Sequence, residues 1–296
     1  MNNYIGIIAA LSAAFLWAVS STVYGLLGLK IPPLQLNLYK GLIAIALIII
    51  TLIIQDNLNF TLQSSTLIWL LISGAIGIGL GDTAYFYALK HLGPRKTLLL
   101  ETLSPPLAGG LAWIYLGETL TIQAWCGMFL TILGVTWVIS EKNQHSYNPQ
   151  AIQKLGIIWG IIAAMSQASA AVISRYVLVE SGIAPLPSTL IRLIGGTIII
   201  LPLFLTSTQK LNSQEKITIK ICVILVITAF GSTYLGIWLQ QTALKYAQTG
   251  IATTLLATSP LFILPIAKLR GEKISFRSIL GVIISLLGIT TLQISF

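Results

Sequence analysis

Apolar residues follow one another along this chain in long unbroken stretches, of which LIAIALIIITLII at 42–54 is the plainest. Such runs do not alternate, which excludes a membrane barrel whose strands switch between polar and apolar over about ten residues. Breaking the chain at proline pairs, polar clusters and charges predicts ten helices. They fall near 4–29, 34–54, 66–89, 95–116 and 121–140 in the first half, and near 154–179, 187–206, 217–244, 249–269 and 275–294 in the second. A spanning helix needs about 20 apolar residues, so ten of them use most of the chain and leave short connections. The one long polar connection is EKNQHSYNPQAIQK at 141–154. The predicted fold is all-α: a polytopic membrane protein with ten transmembrane helices. A first five-helix repeat spans 1–141, a polar linker 142–153 and a second five-helix repeat 154–296.

Composition agrees with this pattern. Of the 296 residues, 55% are hydrophobic and 8% charged, against roughly 25% charged in a soluble domain; the mean hydropathy is +0.89. The expected partner is therefore the lipid bilayer of the cell membrane, with no room for an extramembrane catalytic domain. Two Cys and two His are too few for a disulfide framework or a metal cluster. Cys126 and Cys222 sit in apolar runs, and His91 and His145 fall in connections. No cofactor or metal is predicted. The net charge of +9 is spread over short loops, which fits positive-inside topology better than nucleic acid binding. Met1–Tyr4 has no basic segment, so the first helix reads as a retained span rather than a cleaved signal.

The halves resemble each other. At a shift of 154, Gly6–Ser12 lies over Gly160–Ser166 with six of seven residues identical. At 155, Gly81 meets Gly236, Ala88-Leu89-Lys90 meets Ala243-Leu244-Lys245, and Ser104-Pro105 meets Ser259-Pro260. At 154 again, Gly117-Glu118 meets Gly271-Glu272, and Gly127 and Gly134 meet Gly281 and Gly288. Five helices is an odd number, so the second half enters the membrane from the opposite side. An inverted repeat of this kind is common among secondary transporters, with the substrate held near the midplane between the halves.

The segments ETLSPPLAGGLAWIYLGETLTIQAWCGMFLTILGV and LLATSPLFILPIAKLRGEKISFRSILGVIISLLGI each carry a Ser-Pro, a later Gly-Glu and a helix with paired glycines. With the Ala-Leu-Lys that closes the third and eighth helices, and the basic residue early in the second and seventh, the sequence resembles the drug/metabolite transporter superfamily, in its ten-helix EamA-type branch. The resemblance covers nearly the whole chain. It implies a carrier and leaves the substrate open.

Ionisable residues inside spans are costly and are functional candidates by default. Lys40, Asp82 and Glu101 fall six or seven residues from one membrane face, a depth of roughly 10 Å. One Lys against two carboxylates leaves negative charge in excess and invites a proton, so proton coupling through Asp82 or Glu101 is a reading the cluster allows. Lys40 alone reads equally as a snorkelling or structural residue. Arg175 and Arg192 lie about five residues from the opposite face, with Gln240 and Gln241 near that depth. Arg175, sharing a helix with Gln167 and Ser174, is a candidate for gripping an anionic or zwitterionic substrate; Arg192 reads as an interfacial anchor. Trp17, Tyr85, Tyr234 and Trp238 lie on helices that line the cavity if the resemblance holds. Pro105 and Pro260 fall ten or eleven residues into their helices and read as matched kinks near the midplane. Glu118 and Glu272 read as caps of the helix that follows each.

Thirteen Lys or Arg fall in connections on one side, against Lys245 alone on the side that holds both termini. The charge rule then puts both termini outside, whereas relatives of this type are usually drawn with termini inside. The expected function is a secondary transporter that moves a small polar, amino-acid-like metabolite by alternating access, with export and proton coupling as finer expectations; the sequence leaves the oligomeric state open, a monomer being one reading. The rivals are a pore, an intramembrane enzyme, for which the spans supply no nucleophile with its base, and a structural membrane protein.

Overall fold

The computed structural model describes residues 2–28, 30–56, 63–139, 150–207, 218–262 and 276–294. Most of the polar linker, Glu272, His145 and the later part of the ninth predicted helix lie outside them. All the regular secondary structure among the described residues is helical. In chain order the helices are α1 Asn2–Leu27, α2 Pro33–Ile54, α3 Ser64–Gly74, α4 Thr83–Glu101, α5 Ser104–Leu116, α6 Ile122–Ile139, α7 Gln150–Glu180, α8 Pro185–Thr206, α9 Ile219–Ala229, α10 Gly236–Tyr246, α11 Thr249–Leu256 and α12 Phe276–Ile294. Six helical stretches among the described residues are long and apolar enough to cross a membrane. The outward faces carry Ile8, Ile54, Trp113 and Leu205, while Asn37, Gln241 and Arg192 are buried. An apolar exterior around a polar interior is what a lipid solvent selects.

The third and eighth predicted spans are not uniform α-helices. Ala75–Asp82 joins α3 to α4, and Phe230–Leu235 joins α9 to α10, as π-helical turns. The two lie at the same place in the two halves. A wide turn leaves backbone carbonyls without their usual partner, and side chains from neighbouring helices bond two of them. Asn37 Nδ2 donates to Ile78 O at 2.8 Å, and Gln167 Nε2 to Gly77 O at 3.4 Å.

The fourth and ninth spans also depart from expectation. Helix α4 continues past Lys90 through a turn at Gly93, whose φ of +76° needs a residue without a Cβ. The helix then breaks at Thr102–Leu103, and α5 starts afresh at Ser104. The same break follows α11, at Ala257–Thr258. Pro105 therefore does not kink a continuous helix, as its position in the sequence predicts. It occupies the first turn of a new one, where the missing N–H costs nothing. Pro260 has the matching place after the second break.

Packing between the halves is reciprocal. Helix α1 lies along α10 as α7 lies along α4, and α3 with its π turn packs on α8 as α9 with its π turn packs on α2. Helices α6 and α12 pair through matched small residues. A Cβ on Gly134 would stand 2.3 Å from Ser285 Oγ, and one on Gly288 would stand 2.4 Å from Thr131 Oγ1. Helices this close have no room for side chains at the seam.

Candidate functional site

A cavity of about 160 Å³ lies where the two halves meet. At about 30 Å³ per water it has room for roughly five waters or a solute of similar bulk. Both halves line it. Helix α1 contributes Trp17, Ser20, Ser21 and Tyr24; α2 contributes Lys40; the first π turn and α4 contribute Ile78, Asp82, Tyr85, Phe86 and Glu101. From the second half come Gln167 of α7, Arg192 of α8, Ser232, Thr233 and Gln240 around the second π turn, and Thr253 of α11. Ser104 and Ser259, at the two helix breaks, complete the wall.

The acidic end of the cavity is built around Asp82, the last residue of the first π turn. Lys40 Nζ donates to its Oδ2 at 2.5 Å, and Gln167 Nε2 donates to its Oδ1 at 3.0 Å. The ammonium of Lys40 also lies 4.9 Å from the centroid of Phe86, a cation–π contact. Each oxygen of Asp82 thus has a partner. Glu101 differs, because its Oε1 is buried with no hydrogen-bond partner among the described residues.

Arg192 is 1% exposed and lines the same cavity. Its Nε donates to Ser73 Oγ at 3.1 Å and its Nη1 to Gln240 Oε1 at 3.3 Å. Ser73 in turn donates to Ala170 O at 2.8 Å and lies 2.8 Å from Ser174 Oγ. The guanidinium fits because Gly77 has no side chain; a Cβ there would stand 3.1 Å from Nη2. The anchor reading of Arg192 is corrected by this burial. So is the charge count, because two cations now face two carboxylates and the excess negative charge disappears.

Around the second π turn, Tyr24 Oη and Ser232 Oγ share a hydrogen bond at 2.8 Å. Trp17 Nε1 donates to Ser232 O at 2.9 Å, across a gap that Gly236 leaves open. Four sequence candidates lie elsewhere. Tyr234 and Trp238 pack into an apolar cluster with Ile48, Leu52 and Leu193, and Tyr234 Oη bonds Thr51. Gln241 Oε1 accepts from Ser188 at 3.0 Å, beside the cavity wall rather than in it. Arg175 is directed to the membrane edge. Its Nε donates to Glu118 Oε1 at 2.6 Å, and its Nη1 donates to Leu244 O and Lys245 O at 2.9 and 2.8 Å. Glu118 Oε2 accepts the Thr249 N–H at 2.8 Å, so it caps α11 of the other half and not the helix that follows it. Sequence reasoning did not mark the hydroxyls Ser20, Ser21, Tyr24, Ser232, Thr233 and Thr253. Single hydroxyls in an apolar span give no distinguishing signal, although Ser20 and Tyr24 lie one and two turns beyond Trp17.

The EamA-like transporter family model matches this chain twice, over 4–140 and 154–293. The chain belongs to the EamA-like transporter family. Among its relatives are the uncharacterized transporter YyaM of Bacillus subtilis (strain 168), 25% identical over 84% of this chain and 80% of that one, and an uncharacterized transporter of Archaeoglobus fulgidus, 24% identical over 97% of each chain. A solved crystal structure superposes with a TM-score of 0.76 at 16% identity, over 98% of this chain and 96% of that one. That match is one of fold alone. The cavity described above is therefore the cavity of an EamA-like multi-pass membrane transporter.

Proposed function

We propose that this transporter carries a small polar, amino-acid-like metabolite by alternating access, exports it, and couples the movement to protons. The observation that carries the reading is the cavity itself: small, set between two reciprocally packed halves, and lined by Lys40, Asp82, Glu101 and Arg192. Charge kept deep in a span is expensive unless it is used. The Oε1 of Glu101 can take a proton without breaking an existing ion pair, which Asp82 cannot do, so Glu101 is the proton-carrying candidate.

Alternating access needs one side closed while the other is open. The Arg175–Glu118 pair ties the end of α5 to α7, to the end of α10 and to the start of α11. Lys245 Nζ adds bonds to Gly182 O and Ile183 O, each at 2.8 Å. Both ties lie at the membrane face that holds the N-terminus. The cavity, lined by Tyr24, Lys40 and Phe86, extends towards the other face. The pair therefore acts as a latch on the terminal face. Arg175→Gln is expected to lower net transport about tenfold, and Arg175→Lys, which keeps the charge and a donor but loses the fork, is expected to retain part of it. A cysteine label introduced at Thr249 should react faster in Arg175→Gln than in the parent. Equal reactivity would exclude a latch.

We further infer that both termini face outward, from the thirteen basic residues against one. The test of the whole reading is an untargeted comparison of metabolites inside and outside cells that overproduce the protein, the Glu101→Gln variant or neither, with a C-terminal tag probed for accessibility. A compound that accumulates outside only with the parent supports export; its accumulation inside reverses the direction. Glu101→Gln should retain exchange between equal solute pools while losing the response to an imposed pH gradient. No change in either pool, with normal amounts of protein in the membrane, would overturn the carrier reading.

A further inference from the structure

We propose that Arg192 is the docking group for a single carboxylate on the transported solute, so that the cargo is a carboxylic acid or zwitterion and not a neutral or purely cationic compound. The proposal rests on the carrier reading and names the chemical class its site selects.

The argument begins with the symmetry of the halves. Lys40 and Arg192 are each the eighth residue of their helix, α2 and α8, and both reach the same cavity. Their surroundings differ. Lys40 is neutralised within its own half by Asp82 at 2.5 Å. The residue of the second half that corresponds to Asp82 at a shift of 155 is Ile237, which carries no charge. Among the described residues Arg192 makes no ion pair; its bonds go to the neutral groups of Ser73 and Gln240.

Asp82 accepts from Lys40 at one oxygen and from Gln167 at the other, and makes no ion pair with Arg192. A buried guanidinium whose direct hydrogen bonds go only to neutral groups is unfavourable, and the sequence retains it at the wall of a solute-sized cavity. Two of its five N–H donors are engaged. The rest leave the planar fork able to take both oxygens of a carboxylate. Ser73 and Gln240 fix the plane of that fork before cargo arrives, which lowers the ordering cost of binding. A dianionic phosphate fits less well, because a single unpaired cation balances a single charge. A zwitterion could offer its ammonium to Glu101, whose Oε1 has no hydrogen-bond partner among the described residues.

The test uses purified full-length protein in proteoliposomes loaded with the small-molecule fraction of a host-cell extract. Efflux is identified by mass spectrometry, followed by acid and amide pairs such as leucine with leucinamide and lactate with lactamide. The proposal expects the solutes that leave to carry a carboxylate, with acids favoured over their amides at least tenfold. Arg192→Gln should lower efflux at least tenfold, and Arg192→Lys should fall between it and the parent, because charge is kept and the fork is lost. Gln240→Glu guards against a mere folding defect. It puts a carboxylate beside the guanidinium, and should give a well-folded protein that no longer moves acids because its own side chain fills the site. Efflux of solutes without a carboxylate at comparable rates, or unchanged acid efflux from Arg192→Gln or Gln240→Glu, overturns the proposal while leaving the carrier reading intact. If the parent moves nothing from the extract, the carrier reading fails and this inference with it.

Discussion

An Asp82→Asn variant is expected to lose at least tenfold of its transport rate and to be less stable in detergent than the parent. The two effects have different origins, and a second variant separates them. Lys40 and Asp82 are 7% and 16% exposed at their side chains and lie 2.5 Å apart. Removing one partner of such a pair leaves the other charge buried alone, at a cost of about 3–5 kcal/mol. Gln167 also loses a charged acceptor, since its Nε2 bond to Oδ1 becomes a bond to a neutral amide. Replacing both members, as in Lys40→Met with Asp82→Leu, removes the stranded charge and is expected to return most of the thermal stability. Transport should stay lost, because Asp82 ends the π turn and sets the charge balance of the cavity. Recovery of both stability and transport in the double variant would make the pair a structural device.

The charge cluster of the first half was legible because depth along a helix can be counted. Lys40, Asp82 and Glu101 all face one cavity, as equal distances from one membrane face predict. The second half misleads the same count. Arg192 lies about five residues from the predicted span start at 187, and that depth marks it as an anchor. Helix α8 begins at Pro185, which makes Arg192 the eighth residue of its helix, as Lys40 is of α2. What buries it is the approach of α3 and the first π turn, at Gly74 and Gly77, and that approach joins residues more than a hundred positions apart. The signal that could have found it was the repeat itself: a basic residue at the same place in the second and seventh helices, with only one of the two given a carboxylate.

Other departures have local causes. The π turns have no residue signature, although the glycines at 74, 77, 79 and 81 mark the first of them. A π turn advances the helical face by a different angle from an α turn, so faces projected at 3.6 residues per turn drift beyond it. That drift is consistent with Tyr234 and Trp238 falling in an apolar cluster while Ser232 and Thr233 face the cavity. Pro105 and Pro260 read as kinks in continuous helices, because a proline inside a long apolar run looks the same whether it bends a helix or begins one. Arg175 and Glu118 belong to the two halves and meet only when these pack, so no spacing rule joins them.

The approach of α3 to α8 sets the other large effect, expected from Gly74→Ala. A Cβ at residue 74 would stand 1.9 Å from the carbonyl oxygen of Arg192 and 2.6 Å from its Cα. Both are backbone atoms, so no rotamer change relieves the overlap and α8 must move away as a body. Gly195 faces the same seam from the other helix, with its own Cβ position 2.2 Å from Leu71 O, and gives no slack. Overpacking usually costs about 1–3 kcal/mol. A clash with backbone on a seam this tight should reach the top of that range, read as a clear fall in midpoint in a thermal-stability assay in detergent. Gly110→Ala is the matched control, since a Cβ there meets nothing within 4 Å, and it should leave the midpoint unchanged. Because residue 192 is the one displaced, any Gly74→Ala protein that still folds should also lose its preference for acids over amides. A stable Gly74→Ala variant with unaltered selectivity would mean that α8 sits farther from α3 than these distances state.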